Sequence, residues 1–222
     1  MTDGIHLALA PHVIGTLWGL PITSTLLTSW LVVVVLIAFA FLVGRSLKLV
    51  PTKGQVAVEG VVGGVVTYME ETLESRELAW KYFPIVMTIF LYILFANLVG
   101  LFPFIGSVGI KEGETLIPLF YPVNTDFNVP LALAVISFLT IEFAGITVLG
   151  FLKYARKFVN FSSVIGFIVG VIELVSEVAR LITFSFRLFG NIFAGKVLIL
   201  LALAFIPYLL PVPILIYETF VA

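Results

Sequence analysis

The stretch ELVSEVARLITFSFRLFGN, residues 173–191, decides how this sequence is read. It lies inside a long apolar run, yet it carries Glu173, Glu177, Arg180, Arg187 and Asn191. On a helix turning about 100° per residue, Glu173 and Asn191 share one direction, Arg180 and Arg187 fall roughly 20° and 40° to one side, and Glu177 about 40° to the other. These groups form a stripe roughly 80° wide and, at about 1.5 Å per residue, roughly 27 Å tall, close to the depth of a bilayer core. Most of the remaining helix surface is Leu, Ile, Val, Ala and Phe. A charged stripe on a helix otherwise suited to lipid must face a water-filled path or a partner.

Arg187 is the sharpest point on the stripe. A guanidinium does not shed its proton in a protein. The positions one turn away are Thr183, Phe184, Gly190 and Asn191, so no acid lies within helical reach. Arg180 differs, because Glu177 precedes it by three residues. Arg187 must be satisfied from off its own helix. Two readings follow, a buried structural ion pair or an ion path, and ionisable groups at membrane depth favour the second.

Composition sets the class. The chain has 222 residues, 61% hydrophobic and only 11% charged, with a mean hydropathy of +1.20. A soluble domain is about 25% charged, so the expected fold is all-α, a polytopic helical membrane protein. A net charge of −1 argues against nucleic acid as a partner. There is no cysteine, hence no disulfide or thiolate chemistry. The two histidines, His6 and His12, both stand near the N-terminus, so neither a metal nor a cofactor is expected. Residues 1–23 lack a basic segment before an apolar core, so no cleaved signal peptide is expected.

The whole chain, 1–222, is expected to form a single membrane domain with about five crossing or embedded helices. Residues 1–23 are a short external lead and 26–43 the first span, ending before Arg45, Lys48 and Lys53. That cationic end is expected in the cytoplasm, with the N-terminus outside. Residues 55–80 are too polar to span; they read as an amphipathic segment at the cytoplasmic interface, or as an ordinary cytoplasmic helical hairpin, with Gly63-Gly64 marking a break. A second span covers 83–102, an external loop rich in Pro and Gly covers 103–130, and a third span covers 131–152, with Glu142 near its middle and Lys153, Arg156 and Lys157 at its exit. From 161 to 205 the apolar pattern continues without proline, about twice the length of one perpendicular span. One long, tilted helix is preferred over a break at Gly190 or Gly195. Pro207, Pro211 and Pro213 predict a turn, and a last helix over 214–222 carries Glu218. It is too short to span as it stands and is expected to run on past residue 222. The spacings Gly166 to Gly170 and Gly190 to Gly195 would allow close helix approach.

The string FRLFGNIFAG (186–195), preceded by IELVSEVARL (172–181), resembles subunit a of the F-type ATP synthase. ANLVGLFP (96–103) resembles that family's second motif, and the basic exit before PTKGQ and the PVPIL-YE start of the last helix fit as well. The likeness runs in order along essentially the whole chain. It implies a stationary, non-catalytic, proton-translocating subunit. Its partners would be a ring of c subunits, peripheral-stalk b subunits, other ATP synthase subunits and the lipid bilayer, most naturally in a bacterial plasma (inner) membrane. Two aqueous half-channels would then serve the ring carboxylate.

The resemblance also implies roles. Arg187 matches the arginine that faces each passing ring carboxylate, favours its ionised form and keeps the half-channels apart. Asn191 would hold water or position the arginine. Glu173 would line the cytoplasmic half-channel, with Glu177 and Arg180 on the same stripe, and Glu218 would line the outer one. Asn97 is read either as lying near the outer path or as a polar packing group. Glu142 has no family role; it is a candidate for the outer channel or a hydrogen-bonded packing residue. Lys196 stands where some members carry an acid, and either pairs with Glu218 or snorkels. The family's last helix continues to a glutamine beyond residue 222. Two rivals remain at this stage: a self-contained secondary transporter whose stripe binds an anion, and a non-conducting membrane anchor.

Overall fold

The computed structural model describes residues 13–17, 19–102, 108–112, 115–158, 164–205 and 211–221. They form two compact units, one within residues 12–123 and one within 124–222.

The first unit opens with a hairpin, β1 (Val13–Leu17) and β2 (Leu20–Thr23), paired antiparallel with Leu17 opposite Leu20. Gly19, at φ 83, supplies the left-handed backbone of the turn. Thr23 then caps α1 (Ser24–Ser46), its side chain accepting from the Leu26 amide. Thr52 caps α2 (Lys53–Leu73) in the same way. α2 runs unbroken through Gly63 and Gly64, where the sequence suggested a break. Neither glycine is crowded by a neighbour, and the helix runs on through both. The chain reverses instead at Glu74, φ 50, and Ser75 caps α3 (Arg76–Leu101). Trp80 and Tyr82 therefore lie in the first turns of α3. α1 and α2 both pack on α3; Ser29 and Tyr92 join hydroxyls at 2.7 Å between α1 and α3. A second hairpin, β3 (Gly109–Glu112) with β4 (Thr115–Pro118), lies in the predicted loop. Among the described residues these two hairpins are the strand pairs beside the helices.

The second unit contains α4 (Asn128–Leu149), α5 (Phe151–Phe158), α6 (Val164–Phe205) and α7 (Pro211–Val221). α4 stops earlier than the hydropathy suggests because Gly150, φ 80, turns the chain. The basic exit then becomes the short helix α5. α6 is one continuous helix of 42 residues, unbroken at Gly190 and Gly195. At about 1.5 Å per residue it is roughly 63 Å long, twice the depth of a bilayer core. α7 begins at Pro211, not after Pro213. Proline suits a first helical turn, whose amides need no acceptor within the helix. α4, α5 and α7 all pack on α6, and α5 also meets α4.

Among the described residues, three helices are long and apolar enough to cross a membrane: Ser24–Ser46, Arg76–Gly100 and Asn128–Leu149. Much of their apolar surface is exposed; Val34, Ile37, Leu139 and Phe143 are examples. The expected start of the long helix at 161–163, the turn at Pro207 and the lead through residue 12 lie outside the described residues.

Candidate functional site: a polar line along the long helix

The packing of α6 settles which way its polar stripe points. Phe127, just before α4, meets Phe186 at 5.1 Å and Phe189 at 5.5 Å between ring centroids, and Phe189 stacks on Phe193. On the helical wheel these α6 phenylalanines lie about 140–160° from the Glu173–Asn191 line. α4 therefore holds the back of α6 at this level, and the stripe faces away from it.

The Glu173 end of the line is covered by α5. Lys157 Nζ lies 2.6 Å from Glu173 Oε1 and 3.1 Å from Glu177 Oε1. Arg180 Nη1 donates to Glu177 Oε2 at 2.8 Å, the intrahelical pair that the spacing foretold. Glu177 is only 4% exposed. The bond to Glu173 raises the Lys157 pKa above the ordinary lysine value against the opposing effect of burial, and Glu177 adds to it. Two glycines make this docking possible. A Cβ on Gly145 of α4 would collide with the Tyr154 ring, and one on Gly170 of α6 would collide with the Phe158 carbonyl. Tyr154 Oη also donates to Glu142 Oε2 at 2.8 Å. Glu142 is thus brought to α5, on the Glu173 side, and away from Glu218. Its Oε1 is buried without a hydrogen-bond partner among the described residues.

The other end of the line is covered by α7. Glu218, 6% exposed, lies so close to Gly195 that a Cβ there would come within 2.9 Å of its carboxyl group. Glu218 Oε2 is buried and has no hydrogen-bond partner among the described residues. A cavity of about 230 Å³ joins Asn191, Gly195, Leu198, Tyr217 and Glu218. A water takes about 30 Å³ in the liquid, so this space has room for several beside the orphaned carboxylate oxygen. Lys196 adjoins this end, and its charge and that of Glu218 act on one another.

Between the two covered ends the line is open. Arg187 and Asn191 are exposed, and among the described residues no carboxylate lies within ion-pair distance of Arg187. Arg187 stands about 15 Å along the axis from Glu177 and about 12 Å from Gly195. A cation with no carboxylate within ion-pair distance among the described residues thus sits between the α5-covered carboxylates and the cavity at Glu218.

Asn97 is buried in the last turns of α3, in the first unit. Lys157 was missed as a site residue by the sequence reading, which took it for a basic flank. The available signal was Tyr154 and Lys157 one turn apart in FLKYARKF, with acids on the helices either side.

A family model described as ATP synthase A chain matches residues 26–222. The chain is 32% identical over 192 residues to ATP synthase subunit a of Campylobacter jejuni, spanning 86% of this chain and 78% of that protein. It is 33% identical to the subunit a of Campylobacter fetus over 192 residues, with the same shares. With that of Geobacter sulfurreducens it shares 31% over 194 residues, 87% of this chain and 77% of the other. The chain belongs to the ATP synthase A chain family, the polytopic helical subunit a of the F-type membrane sector.

Proposed function

We propose that this chain carries protons past a rotating ring of c subunits through two aqueous half-channels that Arg187 keeps apart, and that it performs no covalent chemistry itself. The observation that carries the reading is the open stretch at Arg187, flanked by the pocket at Glu218 and the α5-covered carboxylates at Glu173 and Glu177. A permanent cation with no carboxylate within ion-pair distance among the described residues suits a carboxylate presented by another chain. As each ring carboxylate passes, the guanidinium favours its ionised form. The same charge repels protons, so the two pockets do not join into a leak.

Glu218 and the Asn191 cavity form the outer half-channel in this reading, and Glu173 the cytoplasmic one. Sidedness comes from the cations: Arg45, Lys48 and Lys53 after α1, and Lys153, Arg156 and Lys157 after α4, all belong in the cytoplasm. The N-terminus is then outside, in a bacterial plasma membrane. Peripheral-stalk b subunits would hold the chain against the torque of the ring.

The test is Arg187→Ala in assembled complexes in vesicles, with ATP-driven acidification and passive proton leak followed together. Acidification should vanish while the complex stays intact, and the leak should rise. Near-normal pumping would make the arginine structural and remove the basis for an ion path along this line.

A further inference from the structure

Lys157 lies off the polar stripe, on α5, and the mechanism above gives it no part. It is nonetheless the group on which the Glu173 end of the line is built. The two neighbouring carboxylates it touches are not equivalent. Glu177 has Oε1 on Lys157 at 3.1 Å and Oε2 on Arg180 at 2.8 Å, and it is buried. Both its oxygens are held by cations, so protonating it would break one of two charge-assisted bonds. Glu173 has Oε1 on Lys157 at 2.6 Å, and its side chain retains 34% of its exposure. Its Oε2 makes no hydrogen bond among the described residues.

We infer that Lys157 is a positioning residue for proton exchange at this end of the path: it pins Glu177 in an ion pair shared with Arg180 and turns one oxygen of Glu173 toward water. Glu173 Oε2 takes up a proton from one side of the path and releases it to water on the other, the carboxyl returning to carboxylate. Lys157 keeps its own proton throughout. Charge balance agrees with this division. Within the cluster α6 contributes two anions and one cation, and Lys157 from α5 brings it to neutrality. The steric fit of Gly170 against the Phe158 carbonyl fixes the backbone that carries Lys157, so the ammonium is held in place by more than its long side chain. The inference rests on the proposed ion path and specifies which of two adjacent carboxylates exchanges protons.

The experiment measures ATP-driven acidification per assembled complex in vesicles across a range of pH. The variants are Lys157→Gln, Lys157→Arg, Glu173→Gln and the double Lys157→Gln/Glu173→Gln. Lys157→Gln should lower the rate about tenfold, the change that about 1.4 kcal/mol produces, and should alter the pH profile. Lys157→Arg should restore most of the rate. The double variant should be no worse than Glu173→Gln alone, since Lys157 acts through Glu173. Normal pumping in Lys157→Gln, or losses that multiply in the double variant, would overturn the inference. If Lys157→Gln fails to assemble, Lys157→Gln/Glu177→Gln decides, because it removes one anion together with the cation. Recovered assembly with slowed pumping supports the inference; failure to recover overturns it. Arg187→Ala separates the two levels. Normal pumping there defeats the ion path itself, whereas loss there with normal Lys157→Gln defeats only the role of Lys157.

Discussion

Gly170→Ala is the sharpest structural perturbation available. Gly170 lies one turn before Glu173 on α6, where α5 makes its closest approach. An added methyl would collide with the Phe158 carbonyl, with the Lys157 carbonyl 3.5 Å away. The clashing atoms, the Phe158 carbonyl oxygen and carbon, are backbone, so no change of rotamer relieves the clash. α5 must back off by roughly 1 Å to regain ordinary contact. If Lys157 follows it, the 2.6 and 3.1 Å contacts to Glu173 and Glu177 open to about 3.6 and 4.1 Å, outside hydrogen-bonding range. Overpacking of this kind costs about 1–3 kcal/mol, which lowers the ratio of docked to undocked α5 by roughly 5- to 150-fold. The assay is thermal stability of the purified complex, with the amount of the chain retained in membranes as a second readout. Gly63→Ala is the internal control. Gly63 lies in α2 with nothing within 4 Å of its missing Cβ, so alanine should stabilise that helix by about 0.5–1 kcal/mol. If Gly170→Ala is as stable as the parent while Gly63→Ala behaves as expected, the tight docking of α5 on α6 is refuted.

Tyr154→Phe should destabilise the chain by about 1–3 kcal/mol, because Glu142 loses its only described donor beside an oxygen that already lacks one. Burial, the hydrogen bond to Glu142 and that residue's charge push the Tyr154 pKa from an ordinary 10 up to about 12. A raised folded-state pKa on an acid means stability that is fully present below pH 10 and lost as pH climbs through about 12. Thermal unfolding should therefore show a constant gap between parent and variant from neutral pH to about 10, closing above it; a gap that widens there would count against the bond. At the far end of the line, Gly195→Val should slow proton pumping more than Gly195→Ala, since the larger side chain displaces Glu218 and fills the cavity beside Asn191. Acidification assays on the two variants check this, and equal, undiminished rates would show that the cavity carries no traffic.

Much of the helical framework was readable because hydropathy and helical period are local properties. The spans at α1 and α4, the unbroken run of α6 and the single stripe on it all follow from side chains a few residues apart. The misplaced break in the 55–80 segment shows where local signals compete. Gly63-Gly64 looks like the weaker point, but Ser75 offers a side-chain cap and Glu74 adopts the left-handed turn that ends α2. The hairpin at residues 13–23 escaped notice because its strands are only five and four residues long, too short for alternation to register.

The stripe divides the labour most clearly. By itself the sequence determined that Glu173, Glu177, Arg180, Arg187 and Asn191 share one line, and that Arg187 has no acid within one helical turn, because a helix fixes direction by residue number. Only the tertiary structure decided what covers that line. Lys157 reaches Glu173 and Glu177 across 16 and 20 residues, Tyr154 reaches Glu142 across 12, and α7 brings Glu218 onto Gly195. Each of these contacts depends on where the chain reverses and how closely two backbones approach at Gly145, Gly170 and Gly195. Those distances are set by packing between elements, which no helical period encodes.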